Sequence, residues 1–193
     1  MSSREKILQV ALDQFYRSGY QSTSVDDIIA QAAVSKSNFY YHFKSKEELG
    51  TAVLGIRGAE FSGLLATTLC NSDLSPLDRL KSFLDCLHHA QDASLGKGGC
   101  PFGNLVAEMA EHSERFRCQL SEVFGSLAST VTELLEEGQA RGQFRSDIPA
   151  VCMATLVVQT IQGMQLLTKC HKSVDCLKRG ADTLVKLIEV RAA

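Results

Sequence analysis

A short run of polar and basic side chains, Ser35 to Asn38, contains the residues of this 193-residue chain whose types best suit binding chemistry. Lys36 can donate hydrogen bonds to the two acceptors on the edge of guanine, and Asn38 can pair with a base edge. Lys46, at the predicted start of the next helix, suits a phosphate group. Aromatic residues interrupt the polar ones, which suits a helix that buries one side and offers the other to an anionic, hydrogen-bonding surface.

Two short predicted helices position these side chains. Apolar residues recur at i, i+3, i+4 and i+7 from Val25 to Ala32, which predicts one apolar stripe on a two-turn helix. Ser24 followed by Asp27 predicts a capping box at its start. A brief break then leads to a second short helix, residues 35–43, so the pattern indicates a helix-turn-helix.

The first quarter of the chain also carries a family resemblance. A leading helix with an apolar stripe precedes Gly19-Tyr20, and the helix-turn-helix ends in the run Phe39-Tyr-Tyr-His-Phe-Lys-Ser-Lys-Glu-Glu-Leu49. This order resembles the DNA-binding domain of the tetracycline-repressor (TetR) family, and the aromatic-His-Phe-x-Ser-Lys run is highly specific. Two positions depart from the family pattern, because Ala33 and Ser37 stand where glycine is common. Ala33 is expected to keep a negative φ, which constrains the turn, and Ser37 is expected to change operator preference.

The resemblance assigns DNA-binding roles to matching positions. Base edges are expected to meet Ser35, Lys36, Ser37 and Asn38. Phosphates are expected to meet Thr23, Ser24, Tyr40, Tyr41, His42 and Lys46. The alternative for Tyr40 and Tyr41 is ordinary packing, and for His42 it is a capping or core histidine. Phe39 and Phe43 are predicted to be core residues.

The rest of the chain predicts an all-α fold: an N-terminal three-helix helix-turn-helix DNA-binding domain, residues 1–46, and a C-terminal helical ligand-binding and dimerisation domain, residues 47–193. After the first helix, 4–18, and the helix-turn-helix, predicted helices cover about 46–70, 76–91, 104–111, 113–141, 149–170 and 173–191. The glycines of the 46–70 helix predict close packing, with a hinge as the alternative. Because the last two helices are apolar on more than one face, a homodimer through a four-helix bundle is expected.

A small-molecule effector is expected to bind the C-terminal domain, with the helix after Lys46 as the lever between the two sites. Candidate lining residues, with a plain core role as the alternative, are Phe61, Leu65, Phe83, Leu87, Cys100, Phe102, Met109, Phe124 and Met164. Cys100 lies in a glycine-rich loop before a predicted helix, where exposure and the helix dipole favour thiolate. Gly99-Cys100 also resembles a TetR subgroup that includes electrophile-responsive repressors, so the alternative is a redox- or electrophile-sensing repressor switched through Cys100.

Charge and composition narrow the classes of protein to which the chain can belong. The net charge is −2, distributed as +2 over residues 1–46 and −4 over the rest, which favours an N-terminal nucleic-acid face. No signal peptide is evident, so a cytoplasmic protein with reduced cysteines is expected. Gln and Gly residues argue against a membrane span at 148–168. A phosphate-binding loop at 96–103 is rejected because the Lys-Ser/Thr ending is missing.

No enzyme activity, cofactor or metal is expected. A metal sensor built on His88-His89, or on Cys170, His171 and Cys176, is a weaker alternative because neither spacing supplies a full ligand set. The other alternative is a thiol-dependent enzyme that uses Cys100 as its nucleophile. No sequence motif supplies a general base beside this thiol, and an enzyme would leave the predicted helix-turn-helix unexplained.

Overall fold

A computed structural model of the protein describes residues 1–190, which form nine α-helices and, apart from one isolated bridge between Phe144 and Glu189, no β-structure. The helices are α1 (Ser3–Arg17), α2 (Val25–Ala32), α3 (Lys36–His42), α4 (Lys46–Thr67), α5 (Pro76–Ala93), α6 (Pro101–Met109), α7 (Glu114–Ala140), α8 (Ala150–His171) and α9 (Asp175–Ile188). The all-α fold class is therefore confirmed.

Side-chain caps explain where several helices begin. At α2, the Ser24 hydroxyl accepts a hydrogen bond from the Asp27 N–H at 3.1 Å, and the Asp27 carboxylate accepts one from the Ser24 N–H at 2.9 Å. This is the expected capping box. At α4, the Glu48 N–H donates to the Ser45 hydroxyl at 3.1 Å, and the Glu48 carboxylate accepts a hydrogen bond from the Lys44 N–H at 2.7 Å.

The end of α2 differs from the expectation for Ala33. Its φ of 51° and ψ of 48° place it in the left-handed region, so the predicted negative φ is wrong. The N–H groups of Ala33 and Val34 donate to the carbonyls of Ala30 and Ile29, each at 3.3 Å, and this closes the helix end. A left-handed residue with a Cβ costs about 1–2 kcal/mol, and the apolar faces of α2 and α3 on either side enforce it.

The chain divides into two compact units that do not coincide with the expected domain boundary after residue 46. Unit 1 is Met1–Glu60 with Pro101–Leu120, and unit 2 is Phe61–Cys100 with 121–190. Unit 1 reaches beyond residue 46 because α4 packs closely on α7: a Cβ on Gly50 would lie 2.6 Å from the Phe116 ring and 2.7 Å from the Tyr20 ring. Packing therefore accounts for Gly50, whereas a Cβ at Gly55, Gly58 or Gly63 would meet nothing within 4 Å in the described chain.

Unit 1 is built on the apolar faces of α1, α2 and α3. Phe39 and Phe43 are 0% and 2% exposed, so their prediction as core residues is confirmed. The rings of Phe15 and Tyr20 lie 5.0 Å apart, and Tyr20 also contacts Phe116 edge-on at 5.1 Å. These contacts join the end of α1 to the start of α7 within the unit.

Unit 2 contains a hydrophobic cluster of 20 buried residues, formed by one face of α8 together with residues of α4, α5, α7 and α9. The buried side chains of α8 recur at three- and four-residue spacing from Ala150 to Thr168, while other apolar residues of the same helix are exposed. By length and composition alone α8 could cross a membrane, and in this structure one of its faces packs into the hydrophobic cluster of unit 2.

Three predicted boundaries were wrong by a few residues. Helix α4 ends at Thr67 rather than near Cys70. Helix α6 begins at Pro101 rather than Asn104, because proline is well accommodated in the first turn, where its missing N–H has no helical partner. Helix α9 ends at Ile188, and Arg191, the predicted end, lies outside the described residues.

Candidate nucleic-acid interface

The start of α3 is set by Ser35. Its φ and ψ are −78° and 157°, and its hydroxyl accepts a hydrogen bond from the Asn38 N–H at 3.2 Å. The same hydroxyl lies 3.0 Å from the hydroxyl of Ser37. The cap holds the first turn of α3 in place. Exposed residues at four-residue spacing, Lys36 with Tyr40 and Ser37 with Tyr41, form one polar edge of the helix.

The structure brings most of the predicted DNA-binding residues to the surface of unit 1. The exposed residues are Ser24, Ser35, Lys36, Ser37, Tyr40 and Tyr41, and the half-buried ones are Asn38, His42 and Lys46. Tyr41 is 77% exposed and Tyr40 is 41% exposed, so packing does not account for Tyr41. The His42 ring stacks edge-on against Tyr41 at 4.9 Å, which restrains both rings.

Thr23 does not follow its expected role. Its side chain is 1% exposed, and its hydroxyl donates to the Gly19 carbonyl oxygen at 2.8 Å. The hydroxyl is therefore used to close the turn between α1 and α2, and the structure does not support a phosphate contact from this side chain.

Lys36 and Asn38, both predicted to contact base edges, make or lack side-chain contacts that the sequence did not predict. The Lys36 ammonium lies 3.4 Å from the Asp26 carboxylate, in a pair with both side chains well exposed. An exposed pair of this kind is worth about 0–1 kcal/mol, so Lys36 can exchange this partner for a base or a phosphate. The Oδ1 atom of Asn38 is enclosed without a hydrogen-bond partner, so Nδ2 is the atom that Asn38 can offer.

Lys46 is held in place by the turn that follows α1. Its ammonium donates to the Gln21 carbonyl oxygen at 3.3 Å and lies 4.4 Å from the centre of the Tyr20 ring. Partial burial lowers the pKa of Lys46, and the nearby carboxylate of Glu108 opposes this change. The cation is thus oriented by a ring, a carbonyl and a carboxylate rather than left as a mobile surface chain.

Glu108 is a positioning residue that the sequence analysis missed. Its carboxylate accepts the Gln21 backbone N–H at 2.8 Å, and the Gln21 side chain donates to the Glu108 carbonyl oxygen at 3.5 Å. A Cβ added to Gly19, whose φ is +90°, would lie 2.9 Å from the same carboxylate. No local pattern relates residues 19–21 to residue 108, so this contact could be found only in the folded chain.

The candidate effector residues are divided between the two units. Leu65, Phe83 and Met164 are buried in the hydrophobic cluster of unit 2, and Phe61 and Leu87 pack against it. The Phe61 and Phe83 rings lie 6.4 Å apart. Cys100 and Phe124 also belong to unit 2, whereas Phe102 and Met109 belong to unit 1. A shared effector site for all nine residues stays a prediction.

A buried glutamine binds the loop that precedes α6. The Gln91 side chain donates to the Gly99 carbonyl oxygen at 2.8 Å and accepts from the Gly99 N–H at 3.1 Å. These two bonds hold the backbone of the loop at Gly99. Cys100 is half-buried directly before Pro101, and all seven cysteines are present as thiols. Within residues 1–190, no three His, Cys, Asp or Glu side chains gather as metal ligands.

Comparisons with known protein families match both parts of the chain. Residues 7–53 match the family described as bacterial regulatory proteins, tetR family. Residues 76–184 match the family described as tetracyclin repressor-like, C-terminal domain.

Curated relatives and solved structures agree with these matches. An HTH-type transcriptional regulator in the lacX 3′ region of Lactococcus lactis is 34% identical over 95% of this chain and 91% of its own length. The HTH-type transcriptional repressor DhaR from a Mycobacterium species is 28% identical over 88% of this chain and 84% of its own. A crystal structure of a regulatory protein TetR from Rhodobacter sphaeroides superimposes with a TM-score of 0.89 at 26% identity, over 96% of this chain and 98% of that one. The reduced form of E. coli NemR shares the fold, with a TM-score of 0.84 at 22% identity over 99% and 98% of the two chains.

Proposed function

Since this chain belongs to the TetR family of helix-turn-helix transcriptional regulators, we propose that it is a repressor that binds a palindromic operator as a homodimer and is released by a small-molecule effector. The observation that carries the proposal is the polar edge of α3. Its first turn is capped by Ser35, and Lys36, Ser37, Tyr40 and Tyr41 are exposed beside it. Such an edge can enter a major groove, while Lys46 and the tyrosine hydroxyls bind the adjacent phosphates.

Repression, rather than activation, is supported by a relative. DhaR, which matches over most of this chain, is named as a transcriptional repressor. A repressor needs only to occupy its operator, and the described residues offer a DNA-binding surface for that purpose. The family consists of regulators rather than enzymes, so no catalytic role is assigned to Cys100.

Homodimerisation is supported by the apolar surface of α8 and α9. These two helices pack on each other, yet they leave large apolar side chains exposed in unit 2. The exposed residues are Val151, Leu156, Leu166, Leu167, Leu187 and, just beyond α9, Val190. A second copy of the chain would cover both helices at once and form a four-helix bundle. The two copies of α3, about 34–36 Å apart, would then bind two half-sites of the operator.

A small-molecule effector is supported by the composition of unit 2. Its core contains the neighbouring aromatic side chains of Phe61 and Phe83 and the adaptable side chain of Met164. Side chains of this kind line the apolar pockets that bind small molecules in proteins. The proposed site of action is the cytoplasm, where a DNA-binding regulator meets its operator.

Footprinting of the purified chain over the promoter upstream of its own gene tests the proposal. Two protected half-sites should appear with two-fold symmetry, their centres about one helical turn apart or a multiple of it. Compounds that remove the protection would then identify the effector. An asymmetric footprint from a monomer, or no protection of any promoter sequence beyond random DNA, would contradict the proposal.

The dimer can be tested separately by Leu166→Glu. This change places a charge on the exposed face of α8, where Leu166 is 66% exposed. Light scattering should show monomers for this variant, and operator affinity should fall because only one half-site is bound. Leu95→Glu is the matched control, since Leu95 is 68% exposed in unit 2 but lies outside α8 and α9. A dimeric Leu166→Glu protein would place the interface elsewhere.

A second candidate is an electrophile-sensing repressor switched through Cys100. The thiol stands directly before the first residue of α6, where the helix dipole favours thiolate. Alkylation there would disturb the turn that Gln91 holds through Gly99. Cys100→Ser should then abolish the release of operator DNA by quinones, and unchanged release would eliminate this mechanism.

A further inference from the structure

Buried polar side chains in unit 2 are few, and nearly all of them are satisfied. They are Thr68, Arg79, Gln91, Gln165 and Thr168. Among these five, only Thr168 has a side-chain atom that is enclosed without a hydrogen-bond partner in the described chain. Thr168 is 0% exposed. A buried hydroxyl without a partner costs free energy, so it calls for an explanation.

The amide of Gln91 is fully used within the protein. It donates to the Gly99 carbonyl oxygen and accepts from the Gly99 N–H, and its Nε2 also lies 3.4 Å from Oε1 of Gln165. Gln165 is therefore the acceptor in this pair. Its Nε2 group, the donor end of the amide, takes no part in the contact with Gln91.

Gln165 and Thr168 lie on the same buried face of α8. Their separation of three residues places them as neighbours on the helix surface, and both are at most 4% exposed. The buried residues that precede them on this face, Ile161 and Met164, are apolar members of the core cluster. The face thus presents an amide and a hydroxyl donor, without a charged group, at the edge of an apolar core.

We infer that Gln165 and Thr168 bind the carbonyl oxygen of a small uncharged effector whose apolar part lies against the hydrophobic cluster of unit 2. A carbonyl oxygen has two lone pairs and can accept from both donors. An ion is disfavoured, because neither residue carries the opposite charge that would offset the loss of its hydration. The inference rests on the proposed ligand-responsive function, to which it adds the chemical class of the effector.

The same contacts suggest how such a ligand would act on the chain. An oxygen bound to Gln165 changes the environment of the Gln91 amide, and Gln91 holds Gly99. Gly99 stands two residues before Pro101, the first residue of α6. Effector binding would therefore reach α6 through the backbone at residues 99–101.

Three aromatic probes of similar size separate the chemical classes: acetophenone (a neutral ketone), ethylbenzene (no acceptor) and benzoate (an anion). Binding to the purified full chain is measured calorimetrically in the absence of DNA. Acetophenone should bind about three- to tenfold more tightly than ethylbenzene, because of the hydrogen bonds to its oxygen, and benzoate should not bind. No binding of acetophenone, or equal binding of benzoate, would overturn the inference.

Thr168→Val removes the hydroxyl and keeps the shape. It should weaken acetophenone binding about three- to tenfold, leave ethylbenzene binding unchanged and not lower the melting temperature, since the hydroxyl has no internal partner. The control is Thr132→Val, because the Thr132 hydroxyl donates to the Ala128 carbonyl oxygen at 2.8 Å. Its acetophenone affinity should match that of the wild type.

Three further outcomes separate this inference from a structural role for the hydroxyl and from the proposed function. A lowered melting temperature for Thr168→Val, with unchanged affinity for acetophenone, would assign the hydroxyl a structural role and overturn the inference. Because the probes are tested without DNA, a chain that binds its operator but not acetophenone refutes only this inference. A chain that binds acetophenone but protects no operator refutes the proposed function instead.

Discussion

The carboxylate of Glu108 on α6 accepts a hydrogen bond from the backbone N–H of Gln21 at 2.8 Å, although the two residues are 87 positions apart. Gln21 in turn accepts from the Lys46 ammonium through its carbonyl oxygen at 3.3 Å. The backbone of one turn residue therefore joins α6 to the lysine proposed to bind phosphate. The contacts that orient the Lys46 side chain therefore lie within unit 1.

Removal of this carboxylate should weaken DNA binding. Glu108→Ala loses a charge-assisted hydrogen bond worth about 1.5–3 kcal/mol and frees the turn that orients Lys46. Operator affinity, measured by fluorescence anisotropy, should fall together with thermal stability. Glu111→Ala, an exposed carboxylate near the end of α6, is the control and should change neither quantity. Unchanged DNA affinity in Glu108→Ala would show that Lys46 does not depend on the turn.

Lys46 and Lys36 should differ in what they contribute to recognition. Lys46→Ala should weaken binding to every sequence and lower the slope of log K against log salt by about 1, because one phosphate contact is lost. Lys36→Ala should relax the choice of base at one operator position by about 1–3 kcal/mol. Titrations of operator and random DNA at several salt concentrations measure both effects. Equal losses on both DNAs for the two variants would contradict this division.

Ala33→Gly should stabilise the protein. The left-handed backbone at Ala33, with φ at 51°, suits glycine, so the substitution should raise the free energy of unfolding by about 1 kcal/mol. Ala30→Gly is the opposite control, because Ala30 lies inside α2 and should lose about 0.5–1 kcal/mol. Urea denaturation measures both, and a destabilised Ala33→Gly protein would show that the turn is not strained.

Removal of Glu137 should destabilise the protein more than removal of Arg141, although both residues belong to the same group of ion pairs with Arg79. Arg79 is 7% exposed and reaches the Glu137 carboxylate at 2.7 Å, while Arg141 reaches the same carboxylate from an exposed position at 2.6 Å. Glu137→Ala leaves a buried guanidinium without its counter-ion and should cost about 3–5 kcal/mol of stability. Arg141→Ala removes an exposed partner and should cost about 0–1 kcal/mol. Similar losses in the two variants would refute this ranking.

Stability at alkaline pH should depend on Tyr20. Burial, with a smaller contribution from the Glu47 carboxylate, raises the pKa of Tyr20 from 10.0 to about 12. The folded state therefore favours the neutral phenol, and its contribution is complete below pH 10 and is lost as the pH rises from about 10 to about 12. The loss should reach about 2–3 kcal/mol.

Tyr20→Phe tests this dependence, since the ring stays and the phenol is removed. Its unfolding free energy should fall less between pH 9 and pH 11 than that of the wild type. Tyr41→Phe, which alters an exposed ring, is the control. Parallel pH profiles for Tyr20→Phe and the wild type would show that Tyr20 does not set this slope.

Much of the fold could be predicted from the sequence because its determinants are local. Ser24 and Asp27 are neighbours in the chain, and the capping box that they form lies where these residue types predicted it. Periodic apolar residues likewise predicted Phe39 and Phe43 as core residues. The family resemblance of residues 1–49 rests on the same short-range order, and the family matches confirm it.

Other features were decided only by tertiary structure, because they depend on residues distant in sequence or on backbone angles enforced by packing. Ala33 is left-handed because two packed helices must meet there, and Thr23 is buried because its hydroxyl closes the turn at Gly19. The links from Glu108 to Gln21 and from Gln91 to Gln165 join separate helices and loops. By itself, the sequence determined the positions of the helices, the segment proposed to contact DNA bases (residues 35–38) and the family. Tertiary contacts decided which polar groups are exposed, held or left without a partner, because burial and hydrogen bonding depend on neighbours that only the folded chain provides.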